Sequence, residues 1–211
     1  MQTTRISPKR AREILDRFPG AELLGVGRRS VVLRKGKLAI KIEKESHRGT
    51  AAREARWLAE ADGIGPKLVG QDQRLGYVVY NYISGRFLPE FIEQCSDKRQ
   101  LSRILALCLK KAAKLDSLGI NKEEMHRPVK HIIVSRSARF IDFERCYRAG
   151  KPKNVTQLCH FLFLGSNTCA KKIRKVFHIN ARDALRVVKS YRESGLKPVL
   201  LLLDPDNVAE R

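Results

Sequence analysis

Residues 22–62 read ELLGVGRRSVVLRKGKLAIKIEKESHRGTAAREARWLAEAD. The first half has strand chemistry: short apolar or alternating runs, ELLGVG, SVVLRKG and KLAIKIE, broken by Gly25, Gly27 and Gly36. That pattern predicts three antiparallel strands joined by tight turns. The second half changes period. Ala51, Ala55, Leu58 and Ala59 fall on one helical stripe over 49–62, and Gly63 follows as a stop signal.

Before this stretch, residues 8–18 predict a short helix opened by Ser7 as N-cap and Pro8 at the first helical position, with Ala11, Ile14, Leu15 and Phe18 on one face. After it come strands at 67–70 and 76–83, helices at 87–95 and 98–118, a strand pair HIIVS and RFIDF, and helices near 154–164, 168–178 and 180–194. The closing VLLLLDPDNVAER reads as a last strand or helix. Strands first and helices later, with one helix among the strands, is an α+β pattern. The expected organisation is an N-terminal helical extension over 1–19, a β-rich lobe over 20–83 and a compact helical lobe over 84–211.

The 211 residues are 43% apolar, enough for one substantial core or two smaller lobes. No apolar run approaches the roughly 20 residues of a membrane span. The basic start MQTTRISPKRAREIL lacks the apolar core of a secretory signal. Cys95, Cys108, Cys146, Cys159 and Cys169 make an odd set without a CxxC pair, which points away from a disulfide framework or zinc ribbon. A reduced, cytoplasmic protein is expected. Lys and Arg number 43 against 22 Asp and Glu, a net charge of +21. Such an excess asks for an anionic partner, either nucleic acid, nucleotide phosphate or an anionic surface. Between Arg145 and Arg192 there are 12 basic residues and one acid, Asp183, so over half of the excess is concentrated there.

Four features carry chemistry, and their order carries more than any one alone. Gly25-Val26-Gly27-Arg28-Arg29-Ser30 lies between two predicted strands, where glycines let backbone approach phosphate oxygens; an ordinary hairpin turn reads the same way. Lys41 sits in the otherwise apolar strand Leu38-Ala39-Ile40-Lys41-Ile42, placed to hold phosphates or else to face solvent from an edge strand. Glu54, on the following helix, can pair with Lys41 or lie on the helix surface. Asp142 in Ile141-Asp142-Phe143-Glu144 closes a strand, where a carboxylate can hold a divalent cation or cap a turn. This order and spacing match the protein-kinase signature set, whereas a Walker A sequence is absent.

On LGVGRRSVV, LAIKIE, TAAREARWLAEADGIGPKLV, YVVYNYISG, EEMHRPVKHIIV and FIDFE, the chain resembles a small, divergent branch of the protein-kinase-like superfamily. That branch lies near the Rio-type kinases and the small kinase of the KEOPS complex, and the chain is especially similar to short archaeal Ser/Thr kinases over about residues 20–165. The resemblance implies a bilobal kinase fold using ATP and Mg²⁺. Lys41 would hold the ATP phosphates with Glu54 as its partner, and Asp142 would bind Mg²⁺. Gly25, Val26, Gly27, Ser30 and Ala39 would line the nucleotide, with Asn81, Tyr82 and Ile83 forming the hinge beside adenine.

Several positions depart from the family pattern. Ser30 replaces the third loop glycine, and DFE replaces DFG. His126-Arg127-Pro128 mimics the catalytic HRD with proline in place of aspartate. A second register puts Lys122-Glu123-Glu124-Met125 in that slot, with Glu124 as base or hydroxyl-orienting group 18 residues before Asp142. The metal-binding asparagine is missing: Val129 stands five residues after Glu124, and a small insertion would bring Lys130 or His131 there, His131 as a weak metal ligand. No APE motif follows DFE. Instead, helices 168–194 carry Lys171, Lys172, Arg174, Lys175, Arg182, Arg186 and Lys189 as an expected anion- or RNA-binding face.

The resulting expectation is an atypical kinase transferring the γ-phosphoryl group of ATP to a Ser/Thr hydroxyl, its own included. The protein substrate is unspecified, and an RNA or ribonucleoprotein contact falls on the basic helices. A pseudokinase or nucleotide-gated RNA- or ribosome-associated module is the alternative. A small-molecule kinase is the third reading.

Overall fold

A computed structural model describes residues 5–206; the outer ends of the expected N-terminal extension and of the last segment, 1–4 and 207–211, lie outside them. The chain divides into two compact units. One runs up to Ile83 and takes in Asp142–Arg145, and the other comprises Ser84–Ile141 and the chain from Cys146 onward. Both are described separately below.

The first unit is built on an antiparallel sheet of β1 (Glu22–Val26), β2 (Ser30–Lys35), β3 (Leu38–Glu43), β4 (Leu68–Asp72) and β5 (Tyr77–Asn81) in the order β1-β2-β3-β5-β4. Two helices cover it, α1 (Pro8–Arg17) and α2 (Thr50–Glu60). Strand alternation sorts their contacts. Ile40 and Ile42 of β3 join Tyr77 and Val79 of β5 in a cluster that includes Ile14 of α1, whereas Val78 of β5 packs with Ala51 and Ala55 of α2. Lys41 lies opposite Val78 in the ladder, on the face covered by α2. Of the two placements open to Lys41 in the sequence, facing solvent would require an edge strand. Pairing of β3 with both β2 and β5 makes this strand central.

Two helical faces differ from their expected composition. Ser7 caps α1 as expected, accepting from the Arg10 amide, and Ile14 is fully buried, but Leu15 is exposed. In its place Arg10 is buried, donating to the Glu43 carbonyl and pairing with Glu45 at 3.2 Å. That anchor fastens the helix to the end of β3 and rotates its apolar stripe. On α2, Ala59 is exposed while Glu54 and Trp57 are buried beside Ala51, Ala55 and Leu58. The carboxylate therefore lies on the inner face, away from exposed Arg53 and Arg56.

The second unit is mainly helical. A short β6 (Arg86–Phe87) leads into α3 (Leu88–Gln94) and the long α4 (Lys98–Ser117). Helix α4 buries Leu101, Ile104, Leu105, Cys108, Leu109, Ala112 and Leu115, a continuous stripe at helical spacing. Gly119 then takes φ +69° and turns the chain into β7 (Ile120–Lys122). Strands β8 (Ile132–Val134) and β9 (Ala138–Phe140) form a three-stranded sheet with β6, and β10 (Cys146–Arg148) pairs with β7. Next come α5 (Asn154–Cys159), which widens into a π-helical turn over His160–Leu164, then α6 (Thr168–Phe177), α7 (Ala181–Ser194) and α8 (Lys197–Leu201). The architecture is α+β, with a sheet-rich unit and a helix-rich unit. All five cysteines are free and buried. Among the described residues no helix is long and apolar enough to cross a membrane.

Candidate functional site: a buried ion cluster on β3

Lys41 projects from β3 toward α2, and its ammonium Nζ lies 2.7 Å from Glu54 Oε2 and 2.6 Å from Asp142 Oδ1. Glu144 Oε2 is 3.1 Å away. One acid from the next helix and two more than 100 residues along the chain thus converge on one cation. Glu54 is held from two sides, because its Oε1 also accepts from the Phe143 amide at 3.2 Å. That bond links α2 to the Asp142–Arg145 segment and fixes the carboxylate's orientation. Asp142 has φ +65°, a left-handed conformation that costs a non-glycine residue about 1–2 kcal/mol and that aspartate tolerates better than most.

The electrostatics follow from burial and charge. Burial alone lowers the Lys41 pKa, but Glu54, Asp142 and Glu144 outweigh it and hold the ammonium well above the ordinary lysine range. For Glu54, burial pushes the carboxyl upward against the pull of Lys41, and the neighbouring Asp142 and Glu144 charges push the same way. Carboxylate oxygens of Glu54, Asp142 and Glu144 all lie within 4.8 Å of one another. The donor set is hard oxygen, which suits Mg²⁺ chemically, and the Asp142 side chain is one-third exposed and open to water. These oxygens are of the kind that could hold a divalent cation, and here each carboxylate is engaged by Lys41, with Glu54 also taken by the Phe143 amide and Glu144 by Arg29.

The other residues expected to line a nucleotide lie in β1, the hairpin after it, β3 and the chain at the end of β5. Gly25 and Val26 lie in β1 opposite Val32 and Val31, and Gly27 to Ser30 closes a tight hairpin. The Gly27 amide donates to the Ser30 carbonyl at 2.8 Å, and the Gly27 carbonyl accepts from Lys44 Nζ at 2.7 Å. The turn's glycine is thus engaged in closing the hairpin. Ala39 is buried on the Lys41 face, opposite Tyr80. At the expected hinge, the Asn81 and Tyr82 amides donate to the Lys67 and Lys37 carbonyls. Both amides are thereby engaged within the first unit. The Tyr82 ring stacks under Arg34, whose guanidinium carbon lies 4.4 Å from the ring centre.

Glu124 belongs to the second unit, in a 3₁₀ turn over Glu123–His126 that follows β7. It is buried, and its Oε2 accepts from Lys122 Nζ at 2.8 Å. The length that would make a glutamate floppy is countered by that ion pair. Lys122 itself has no exposed surface, and its amide donates to Asn154 Oδ1. Asn154 is held in turn by Asp116 and the Ile120 carbonyl. His131 precedes β8 and is half-buried, and its carbonyl accepts from the Ile141 amide. Lys130 is exposed.

The basic helices separate into two groups. Lys171 and Lys175 on α6, and Arg182, Arg186 and Lys189 on α7, are exposed. Lys172 and Arg174 serve internal packing instead. Lys172 Nζ donates to the Glu93 and Cys95 carbonyls, and Arg174 Nη1 donates to those of Phe163 and Gly165. Carbonyls left over at the end of α3 and of the π-helical turn need donors, and long cationic side chains supply them. These two residues are removed from the expected anion-binding face.

Three site residues escaped the sequence reading. Glu144 registered only as a lost glycine, although acids at i and i+2, Asp142 and Glu144, were a visible signal. Arg29, whose Nη1 lies 3.2 Å from Glu144 Oε1, carries no local signal that sets it apart from the other basic residues of the turn. Lys122 differed from other lysines only in following two residues of strand chemistry.

No family model matches the chain. It is similar to an uncharacterized protein of Methanocaldococcus jannaschii, 28% identical over 116 residues, which cover 55% of this chain and 97% of that protein.

Proposed function

We propose that the chain is an atypical kinase of the protein-kinase-like superfamily that transfers the γ-phosphoryl group of ATP, with Mg²⁺, to a Ser/Thr hydroxyl. The observation that carries this reading is the ion cluster: Lys41 on a central strand, locked to Glu54 of the next helix and facing Asp142 after a late strand. Phosphoryl transfer rests mainly on positioning and charge stabilisation, and those are what this cluster supplies. Lys41 would hold phosphate oxygens, Glu54 would orient Lys41, and Asp142 would hold the metal. Glu124, fixed by Lys122, is assigned to orienting the acceptor hydroxyl.

Incubation with labelled ATP and Mg²⁺ is the direct test. Autophosphorylation should appear in the wild-type protein and disappear in Lys41→Ala, Asp142→Ala and Glu124→Gln, each checked for folding by circular dichroism. Label persisting in the first two variants would sink the site assignment. Stabilisation by nucleotide without any label would favour the nucleotide-gated binding module.

The exposed cations of α6 and α7 support RNA as a second anionic partner. Among them the Arg186–Asp183 contact, at 3.3 Å, is highly exposed and weak. Reversal of Lys171, Lys175 and Lys189 to Glu should weaken RNA binding and flatten its salt dependence. Unchanged affinity in that variant would remove RNA from the reading.

A further inference from the structure

The third residue of the DFE triplet does something a glycine could not. Glu144 is only 4% exposed, and its carboxylate bridges two cations: Oε1 is 3.2 Å from Arg29 Nη1 and Oε2 is 3.1 Å from Lys41 Nζ. Arg29 comes from the β1–β2 hairpin and Lys41 from β3. A carboxylate held through both oxygens by an arginine and a lysine has the charge and the spacing of two phosphate oxygens.

We propose that Arg29 and Lys41 form a two-cation clamp for the phosphates of a nucleotide, and that Glu144 occupies this clamp as an internal anion which the phosphates must displace. The inference rests on the phosphotransferase reading and adds Arg29 as a phosphate-binding residue and Glu144 as its built-in competitor.

Three observations support it. The Gly27 N–H closes the turn onto Ser30, while the Arg29 side chain of the same hairpin reaches a buried carboxylate, Glu144. Arg29 is suited to exchange, being one-third exposed where Glu144 is buried. Lys41 stays in place when Glu144 leaves, because Glu54 and Asp142 remain at 2.7 and 2.6 Å. Charge gives the exchange its direction. Lys41 faces the carboxylates of Glu54, Asp142 and Glu144, and Arg29 faces Glu144, two cations to three anions, so an incoming phosphate meets surplus negative charge until Glu144 withdraws.

The test is isothermal titration calorimetry with ADP, in EDTA and separately with Mg²⁺, on the wild-type protein, Glu144→Gln, Arg29→Met and the double variant. Circular dichroism confirms folding of each. Glu144→Gln keeps the shape and removes the competing charge. It should tighten ADP binding in EDTA on the order of tenfold, because more of the protein holds an open clamp. Arg29→Met should weaken ADP binding, and in the double variant the gain from Glu144→Gln should shrink because half of the clamp is gone.

Equal or weaker ADP binding by Glu144→Gln, with the wild type binding ADP, overturns the clamp and leaves the nucleotide site standing. Loss confined to the Mg²⁺ titration makes Glu144 a metal ligand and also overturns it. Should Glu144→Gln not fold, unchanged ADP affinity in Arg29→Met overturns it by itself. Absence of ADP binding in all four proteins removes the nucleotide-site reading and this inference with it.

Discussion

Each unit buries a lysine on a short β-strand against a glutamate, and the two pairs are built differently. Lys41 lies against Glu54 within a cluster that reaches water through the one-third-exposed Asp142. Lys122 has no exposed surface, and its partner Glu124 is 9% exposed. An ammonium surrounded by several carboxylates, one of them wet, can exchange partners at modest cost. Parting Lys122 from Glu124 costs more, because the lysine is fully buried in a low-dielectric interior. The difference separates a cluster open to water at one acid from a pair almost closed to it.

The sharpest way to break this contrast is to remove each lysine in turn. Lys122→Met should destabilise the protein by about 3–5 kcal/mol, the usual cost of orphaning one member of a buried pair. Urea denaturation measures it, and Lys122→Met combined with Glu124→Met should recover part of the loss. Lys41→Met should cost less, about 2–3 kcal/mol, since water reaching Asp142 relieves some of the repulsion among the remaining carboxylates. It should nonetheless abolish nucleotide binding. A larger stability loss for Lys41→Met than for Lys122→Met would reverse the comparison.

The support behind the sealed pair is tested next. Asn154→Ala removes the acceptor of the Lys122 amide and the donor to Asp116 and Ile120, and should cost about 2 kcal/mol in the same assay. Its effect should not add to that of Lys122→Met, because the two residues share one network.

The smallest expected effect concerns Lys111 on α4. Burial lowers its pKa to about 8, helped by the nearby Arg139 and Lys114 charges and opposed by Cys108. The folded protein then binds fewer protons than the unfolded chain between about pH 8 and the ordinary lysine value of 10.5. Stability contributed by this group should rise with pH across that window, and its penalty should be fully present below it. Lys111→Met should therefore be the more stable protein at pH 7, by under about 1 kcal/mol after solvent screening, with the gap closing toward pH 10.5. Parallel stability curves for the two proteins would exclude this assignment.

Much of the local structure was legible because its signals are local. The Ser7 cap and Pro8 start of α1, the three strands within 22–43, and the long stripe of α4 each follow from residues within a few positions of one another. What failed was decided at a distance. Strands β7 and β10 are three residues each, too short for alternation to declare itself, and exist by pairing with each other across 24 to 28 positions in the chain, Lys122 with Cys146 through Ile120 with Arg148. Arg10 took a buried position because a carbonyl and a carboxylate from the β3 end waited for it. Lys172 and Arg174 looked like a surface charge run, yet unpaired carbonyls elsewhere in the unit claimed them.

At the site the division has the same cause. Composition and order alone established that this is a basic α+β chain carrying a strand lysine, a helix glutamate and a late aspartate in one sequence. Only the tertiary structure decided that Lys41 lies on a central strand and that alternation turns it toward α2. The structure likewise put Glu144 in contact with Lys41 and Arg29, residues more than 100 positions away. Periodicity can specify which face of an element is apolar. It cannot specify which charges will meet, because that depends on how elements remote in sequence pack and on the low dielectric that makes each buried charge find a partner.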